Sequence, residues 1–316
     1  MTVEHVMFRS DQVRCAGDLY LPDEIDDPSP LPAVVMGHSV HMVKEALAPH
    51  ADYLVRAGYA VLAVDYRTIG SSEGTPRGQV FPGRYVDDVR NALSYLETRR
   101  EIDPRRIGVW GHSLGATVAI QAAAIDRRIA CLACQNPSMF NGWRALEKSR
   151  GRAGVQALLD TIDRDQQQRF ATGTGMRIPL LGTGDPHIVD YLTLAKEAFP
   201  SFDDEVQVES LAHILAWTPE VFLTRVAPRP LLMVTGSADL THDIDEVLTA
   251  FAAAHEPKQL EILPYDERGL TIEPGLGQAM AIAVDWFDHH LRTAATITTS
   301  PPASQVRSQG LRTEFR

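Results

Sequence analysis

The stretch RIGVWGHSLGATVAIQAAA, residues 106–124, carries the pattern Gly-x-Ser-x-Gly around Ser113. Ile107–Trp110 is apolar and typical of a buried strand, and Ala116–Ala124 favours a helix. A serine on a tight turn between a strand and a helix, with a small residue two positions away on each side, forms a nucleophile elbow. Such a turn presents the serine hydroxyl and aims the Leu114 N–H, at a helix N-terminus, at a developing oxyanion. We therefore predict that Ser113 is a nucleophile and Leu114 an oxyanion donor.

Short apolar runs alternate with helical segments on both sides of this elbow. The runs are typical of buried strands and span residues 31–37, 59–65, 106–113, 128–135, 228–236 and 258–264. The helical segments span residues 43–57, 85–98, 114–124, 244–254 and 278–291. Two further strand-like stretches, 3–8 and 13–21, open the chain. This alternation predicts an α/β protein with a mostly parallel sheet and helices on both faces.

The alternation stops between residues 136 and 224. Helix-like pieces at 143–147, 153–161 and 188–198 are separated there by Gly- and Pro-containing loops. We predict a helical cap over 136–224, inserted between the sixth and seventh strands of a core formed by 1–135 and 225–292. Residues 293–316 lack a hydrophobic period and are predicted to be a disordered tail.

Composition limits the partners of the chain. The net charge of −11 argues against a nucleic-acid partner. No run approaches about 18 apolar residues, so we expect no membrane partner, and the N-terminus lacks signal-peptide features, so we expect a cytoplasmic protein. Three cysteines make no disulfide framework, and the pair Cys131 and Cys134 is predicted to be two buried thiols on one strand. Nothing indicates a metal or an organic cofactor. The expected partner is a small-molecule substrate, and a homodimer stays open.

A second oxyanion donor normally follows the third strand of such a sheet. The loop there is Gly-His-Ser-Val-His, residues 37–41. The Val40 N–H is our candidate donor, with Ser39 as the alternative. His38 of this loop is a candidate substrate-binding residue, and the alternative is that it only shapes the loop.

Several longer segments carry a family resemblance. They are PAVVMGHSVHMVKE (32–45), YAVLAVDYRTIGSSEG (59–74), DPRRIGVWGHSLGA (103–116), RVAPRPLLMVTGSAD (225–239), PKQLEILP (257–264) and AVDWFDHHL (283–291). With them the chain resembles bacterial α/β-hydrolases of the dienelactone-hydrolase-like and acetyl-xylan-esterase-like kind. The resemblance implies the α/β-hydrolase fold, a doubly wound sheet, and an esterase-, thioesterase- or peptidase-like activity. It also implies that Ser113 is the nucleophile and Asp239 the acid of a catalytic triad.

The chain departs from this family at the general base. The family order Ser, Asp, His predicts a histidine after the last strand, where this sequence has Pro-Tyr-Asp-Glu-Arg-Gly-Leu, residues 264–270. Alignment without gaps puts Arg268 in the place of that histidine. Arginine stays protonated and cannot take the proton of a serine hydroxyl. Arg268 could instead bind a carboxylate or phosphate of the substrate.

Another histidine can replace the missing base. His242 follows Asp239 by three residues, on a loop that should border the site. Other candidates lie at helix ends (His255, His289 and His290) and in the cap (His187 and His213). A histidine nitrogen about 3 Å from Ser113 Oγ would support a working base.

Three functions follow from these observations. The first is a serine hydrolase for an ester, thioester or related acyl substrate, with a displaced base. The second is a non-hydrolytic lyase- or cyclase-type tailoring enzyme, in which Asp266, Glu267 or a cap histidine acts on a substrate held in the oxyanion hole. The third is a non-catalytic ligand-binding protein.

The cap residues His213 and Trp217 are expected to contact substrate. The aromatic residues of the cap favour a bulky apolar or aromatic substrate; they are Phe140, Trp143, Tyr191, Phe199, Phe202, Trp217 and Phe222.

Overall fold

The computed structural model describes residues 1–23, 29–179, 186–239 and 242–293, with the backbone alone for 186–191 and 293. Ten strands lie within these ranges: β1 (Thr2–Ser10), β2 (Val13–Leu21), β3 (Leu31–Gly37), β4 (Ala60–Val64), β5 (Ile102–His112), β6 (Ile129–Gln135), β7 (Arg177–Pro179), β8 (Glu205–Gln207), β9 (Leu231–Gly236) and β10 (Lys258–Leu263). Eight of them form one sheet in the order β1-β2-β4-β3-β5-β6-β9-β10. β2 pairs antiparallel with β1 and with β4, and the remaining pairs are parallel. The predicted mostly parallel sheet is therefore confirmed.

Nine α-helices are described: α1 (Ala48–Arg56), α2 (Pro82–Glu97), α3 (Leu114–Ile125), α4 (Gly142–Thr172), α5 (Pro186–Ala198), α6 (Glu209–Leu215), α7 (Leu223–Val226), α8 (Ile244–Ala253) and α9 (Gly275–Phe287). Short 3₁₀ turns precede α1 and α7, at Lys44–Leu47 and Pro219–Phe222. A π turn, Asp288–Thr293, follows α9. No helix in the described ranges is long and apolar enough to cross a bilayer.

The helices cover both faces of the large sheet. Alternate residues of a strand point to opposite faces, so Val35 of β3 packs in the core under α2 and α3, whereas its neighbours Val34 and Met36 pack under α1 and α9. Every residue of β3 and of β4 is buried. Such continuously apolar strands are expected where helices cover a sheet on both sides.

The chain between β6 and β9 adds α4 to α7 and a small antiparallel sheet of β7 and β8. α4 consists of two helical pieces that meet at a kink at Gly151, and the helices predicted at 143–147 and 153–161 lie one on each side of it, so this part of the prediction is confirmed, although both pieces extend further than predicted. Gly151 interrupts α4 with φ of +69°, a left-handed conformation that glycine adopts easily. The sequence therefore contains a break, but helix continues on both sides of it.

Other elements match closely in place. α2, α3 and α8 overlap their predicted segments, and α9 begins three residues earlier than predicted. Cys131 and Cys134 are free and buried on β6. The prediction of a disordered tail concerns residues that, beyond 293, lie outside the described part of the chain.

Candidate active site

Ser113 joins β5 directly to α3. Its backbone has φ of +55° and ψ of −117°, a conformation that non-glycine residues rarely adopt. Such strain costs about 1–3 kcal/mol and persists only where the surrounding structure enforces it. Here the Ser113 N–H donates to Gln135 O of the neighbouring strand β6 at 3.0 Å. The strand, the turn and the helix predicted from residues 106–124 are thus present as an elbow.

Close packing on both sides of the elbow requires glycine. A Cβ on Gly111 would lie 2.3 Å from the carbonyl oxygen of Gly115, and a Cβ on Gly115 would lie 2.4 Å from that of Gly37. Real Cβ atoms do not approach oxygen so closely. The two glycines of the pattern therefore let α3 start directly over the ends of β3 and β5.

Asp239 and His242 form a compact pair after β9. Asp239 Oδ1 accepts the backbone N–H of His242 at 2.9 Å, and Asp239 Oδ2 lies 2.8 Å from His242 Nδ1. Both side chains are almost completely buried. Because one carboxylate oxygen binds the backbone and the other binds the ring, a separation of only three residues suffices to orient the imidazole.

His242 also reaches the elbow. Its Nε2 lies 3.0 Å from Ser113 Oγ, across 129 positions of sequence. Since Asp239 is an acceptor, Nδ1 carries the ring proton and Nε2 is left to accept from the serine hydroxyl. The three side chains therefore form one continuous hydrogen-bonded series from Asp239 through His242 to Ser113.

Backbone contacts between neighbouring loops hold this arrangement. The Ser237 N–H donates to Leu263 O at 2.8 Å and the Ala238 N–H to Tyr265 O at 3.1 Å, which fixes the turn after β9 against the loop after β10. Gln135 Nε2 donates to Leu270 O at 3.0 Å, which joins that second loop to the end of β6. The carboxyl ends of β5, β6, β9 and β10 thus converge around Ser113, as expected for a parallel sheet.

Comparison with known proteins agrees with this architecture. Residues 28–167 match the family described as serine aminopeptidase, S33. The polyketide transferase ATR5 of Stachybotrys chlorohalonatus is 29% identical over 82% of this chain and 87% of its own. The thiohydrolase aneE of Aspergillus aculeatus is 27% identical over 82% and 83% of the two chains. The crystal structure of the α/β hydrolase GrgF from Penicillium superposes with a TM-score of 0.79 at 22% identity, over 92% of this chain and 99% of that one.

The chain has the α/β-hydrolase fold. The resemblance drawn from the sequence segments is confirmed at this level. The sheet order, the elbow after β5 and the position of Asp239 after β9 agree with this fold.

The loop after β10 differs from the α/β-hydrolase pattern. The Arg268 side chain is exposed, and its carbonyl oxygen accepts from the Thr271 N–H and hydroxyl. The preceding residue, Glu267, turns inward and places Oε1 3.8 Å from His242 Nε2. Next to the position where the sequence alignment expected a histidine, the chain thus has a carboxylate, and this carboxylate lies beside a histidine from another loop.

The charges around His242 affect its protonation. Burial opposes the charged imidazole, but the hydrogen bond with Asp239 and the negative charges of Glu267, Asp239 and Glu246 outweigh it, so the pKa of His242 lies above its usual value. The adjacent His112 behaves oppositely: burial, together with the nearby His242 and His50, holds its pKa well below the usual value. His112 is therefore neutral beside the pair.

The two oxyanion candidates flank the elbow. Leu114 is the first residue of α3, so its N–H belongs to the group of helix N-terminal amides that have no intrahelical acceptor. Val40 lies in the turn after β3, which a hydrogen bond from Met42 N–H to Ser39 O closes. Because Gly37 of β3 is in register with Gly111 of β5, this turn begins directly beside the elbow.

His38 is buried in the same turn. Its Nδ1 lies 2.8 Å from Ser39 O, and its ring packs edge-on against Tyr66 with the centroids 4.6 Å apart. Burial lowers the pKa of His38 to about 4, so the ring is neutral near pH 7. These contacts are those of a residue that shapes the turn.

The cap residues expected near the substrate lie at different places. Trp217 is buried, and its Nε1 donates to Thr117 Oγ1 of α3 at 3.3 Å, directly behind the elbow. His213 stacks on Phe81 with centroids 4.0 Å apart and lies 3.2 Å from Gln79 Nε2, so it joins α6 to the segment before α2. Among the other predicted aromatic residues, Phe140 and Phe202 are buried, Phe199 and Phe222 are partly buried and Trp143 is exposed. The side chains of His187 and Tyr191 lie outside the described residues.

The candidate histidines at the helix ends are exposed or pack against other residues. His255 and His289 are exposed, and His290 packs edge-on against Trp286 at 4.2 Å between centroids. Within the described part of the chain, it is His242 whose ring nitrogen makes a hydrogen bond with Ser113.

One contact of Ser113 was not expected from the sequence. Ser138, in the loop after β6, is buried and places its Oγ 3.0 Å from Ser113 Oγ. No sequence pattern marks this residue. Its position depends on the pairing of β6 with β5, which a local pattern does not encode.

The site also contains a group of potential metal ligands. Asp239, His242 and Glu267 each offer a ligand atom, and these atoms lie within 4.8 Å of one another. A cation bound by all three would compete with the Asp239–His242 hydrogen bond and with the Ser113 contact. The observed bonds suit a proton relay, which needs an unmetallated imidazole.

Proposed function

We propose that this protein is a serine-dependent acyl-transfer enzyme of the hydrolase type, acting on an ester or thioester. The observation that carries the proposal is the series Ser113 Oγ to His242 Nε2 at 3.0 Å and His242 Nδ1 to Asp239 Oδ2 at 2.8 Å. These distances and the required tautomer are those of a nucleophile, its general base and the acid that orients the base.

In the proposed reaction, Ser113 Oγ attacks the acyl carbonyl while His242 Nε2 takes the hydroxyl proton. Asp239 stays ionised and stabilises the imidazolium through Nδ1. The N–H groups of Leu114 and Val40 stabilise the oxyanion of the tetrahedral intermediate. His242 then protonates the leaving thiol or alcohol, and an acyl-Ser113 ester remains. An acceptor that gives its proton to His242 completes the cycle.

The names of the relatives support an activated acyl substrate. A thiohydrolase transfers an acyl group to water, and a polyketide transferase passes a polyketide to another acceptor; both names occur among the similar proteins. Ser113 is only 5% exposed, so substrate has to displace contacts near the elbow or enter between them. A buried site of this kind restricts the access of water. Transfer of the acyl group to a bound acceptor molecule is therefore supported as much as hydrolysis.

A fluorophosphonate probe tests the proposal. We expect it to label the wild-type protein on Ser113 and not to label Ser113→Ala. His242→Ala should be labelled much more slowly than wild type. Exposed His255→Ala serves as the matched histidine control and should be labelled like wild type. An unlabelled wild type at high probe concentration would overturn the proposal.

The acceptor can be identified with a series of acyl-N-acetylcysteamine thioesters. Release of free thiol together with free acid indicates hydrolysis. Thiol release that rises on addition of a small alcohol, with formation of the alkyl ester, indicates transfer. If Ser113 is labelled but no thioester of any acyl chain length releases thiol, thioesters are excluded as substrates and oxygen esters remain.

A further inference from the structure

Ser138 makes direct contact with the proposed nucleophile, although the triad assigns it no task. The two hydroxyl oxygens lie 3.0 Å apart and both side chains are buried. Direct contact with the attacking atom is a stronger indication of a chemical role than proximity to the cavity wall would be.

The hydrogen-bond inventory fixes the direction of this contact. Asp239 can only accept, so the ring proton of His242 lies on Nδ1 and Nε2 accepts. Ser113 has a single proton and donates it to His242 Nε2. In the neutral state of His242, the state that can accept the Ser113 proton, the proton between the two serines therefore comes from Ser138, which donates to Ser113 Oγ.

The loop that carries Ser138 is held firmly against the elbow. Gln135 O accepts from the Ser113 N–H at 3.0 Å, and the Asn136 N–H donates to Val234 O of β9 at 2.7 Å. Asn136 is completely buried with φ of +44°, and Met139 also has a positive φ of +58°. Two strained residues flanking Ser138 indicate that surrounding contacts, and not local preference, set its position.

We infer that Ser138 is a further catalytic residue that stabilises negative charge on Ser113 Oγ. As Ser113 Oγ loses its proton to His242 Nε2 and bonds to the acyl carbon, the carbonyl electron pair moves to the oxyanion. Ser138 keeps its own proton and donates a hydrogen bond to Oγ. When the acyl–Oγ bond breaks in the second half-reaction, Oγ takes the bond electrons and then a proton from His242, and the same donor helps it leave. This role rests on the proposed function.

Replacing Ser138 tests the role through the reactivity of Ser113. We expect Ser138→Ala to lower the second-order rate of fluorophosphonate labelling about ten- to hundredfold, the effect of losing one hydrogen bond to a developing charge. Ser138→Thr, which keeps a hydroxyl, should recover most of this rate. Ser138→Cys is nearly the same size but a weak donor, so it should stay close to Ser138→Ala. With a p-nitrophenyl ester, kcat should fall while KM stays within about twofold.

Ser72→Ala is the matched control. Ser72 is a buried serine whose hydroxyl bonds Asp65 O and Ala16 N, and neither residue belongs to the proposed machinery. We expect it to leave the labelling rate of the folded protein unchanged. If wild type, Ser138→Ala and Ser138→Cys are labelled at equal rates, the role of Ser138 is overturned and the proposed function is not affected. Probe found on Ser138 in peptide mass spectra would also overturn that role. Lack of labelling in the wild type would instead overturn the proposed function.

Discussion

Asp239 holds His242 twice, through the backbone N–H at 2.9 Å and through ring Nδ1 at 2.8 Å. The proposed acid and the proposed base therefore come from one turn after β9. A base placed this way needs no contribution from the loop after β10, and that loop is free to carry Glu267 toward the imidazole.

Removal of the imidazole should disable the chemistry. We expect His242→Ala to lower kcat for a p-nitrophenyl ester by about 10³- to 10⁶-fold, because among the described residues that make a hydrogen bond with Ser113 Oγ, His242 is the one basic enough to take its proton near pH 7. His213→Ala, in the cap, should lower kcat less than tenfold. Comparable losses in the two variants would contradict the assignment of His242.

Removal of the Asp239 charge should lower activity by changing the tautomer of His242. Asp239→Asn keeps an oxygen for the His242 N–H, but its amide can donate to Nδ1 and so favours the ring proton on Nε2, where it blocks acceptance from Ser113. We expect kcat to fall about 10⁴-fold, with thermal stability nearly retained. Asp243→Asn, at the start of α8, is the matched control and should stay within about threefold of wild type. The measurement is kcat together with a melting curve for each variant.

Glu267 should set the acid limb of the pH profile. The activity requires neutral His242, so kcat/KM is lost as the pH falls through the pKa of this group. The carboxylate of Glu267 is one cause of the raised pKa of His242, along with Asp239 and Glu246. Glu267→Gln should therefore move the acid limb to lower pH and raise kcat/KM there. A pH series of kcat/KM, with Glu261→Gln on β10 as control, measures the shift; an acid limb that stays fixed or moves upward would exclude this role.

Arg268 should matter little to turnover. Its side chain is exposed, and Ser113 already has a partner in His242. We expect Arg268→His to change the rate of fluorophosphonate labelling less than threefold, and we expect the same change not to restore activity in His242→Ala. Restored activity would mean that the loop after β10 can still supply a base.

The glycine after the elbow should be essential for stability. Gly115→Ala forces a Cβ to within 2.4 Å of Gly37 O and 2.5 Å of His38 O, so β3 or α3 has to shift. We expect a loss of about 2–4 kcal/mol in the free energy of unfolding. Gly83→Ala in α2 meets no atom within 4 Å and should be neutral or slightly stabilising. Urea denaturation of both variants gives the comparison, and similar midpoints for the two would refute the steric argument.

The regular elements could be predicted because their signals are local. Continuous apolar runs marked β3, β4, β5 and β9, helical patterns marked α2 and α8, and a run of helix-forming residues after the elbow marked α3. The two helical pieces of α4 on either side of Gly151 were predicted, but their full lengths were not, because the ends of helices carry weaker local signals than their periodic interiors. The cap boundaries at 136 and 224 remain a prediction from the loss of alternation.

The sequence alone determined the elbow of this protein. The strand, the turn, the two glycines and the helix lie within residues 106–124, and their geometry depends mainly on contacts within that span and with the adjacent strands β3 and β6. The sequence also pointed to Asp239 as the acid, and to His242 as one of several candidate histidines. Only the tertiary structure decided which histidine meets Ser113, because the strand order brings together residues 129 positions apart. The contacts of Ser138 and Glu267 have the same origin, since each depends on the end of a different strand reaching the same edge of the sheet.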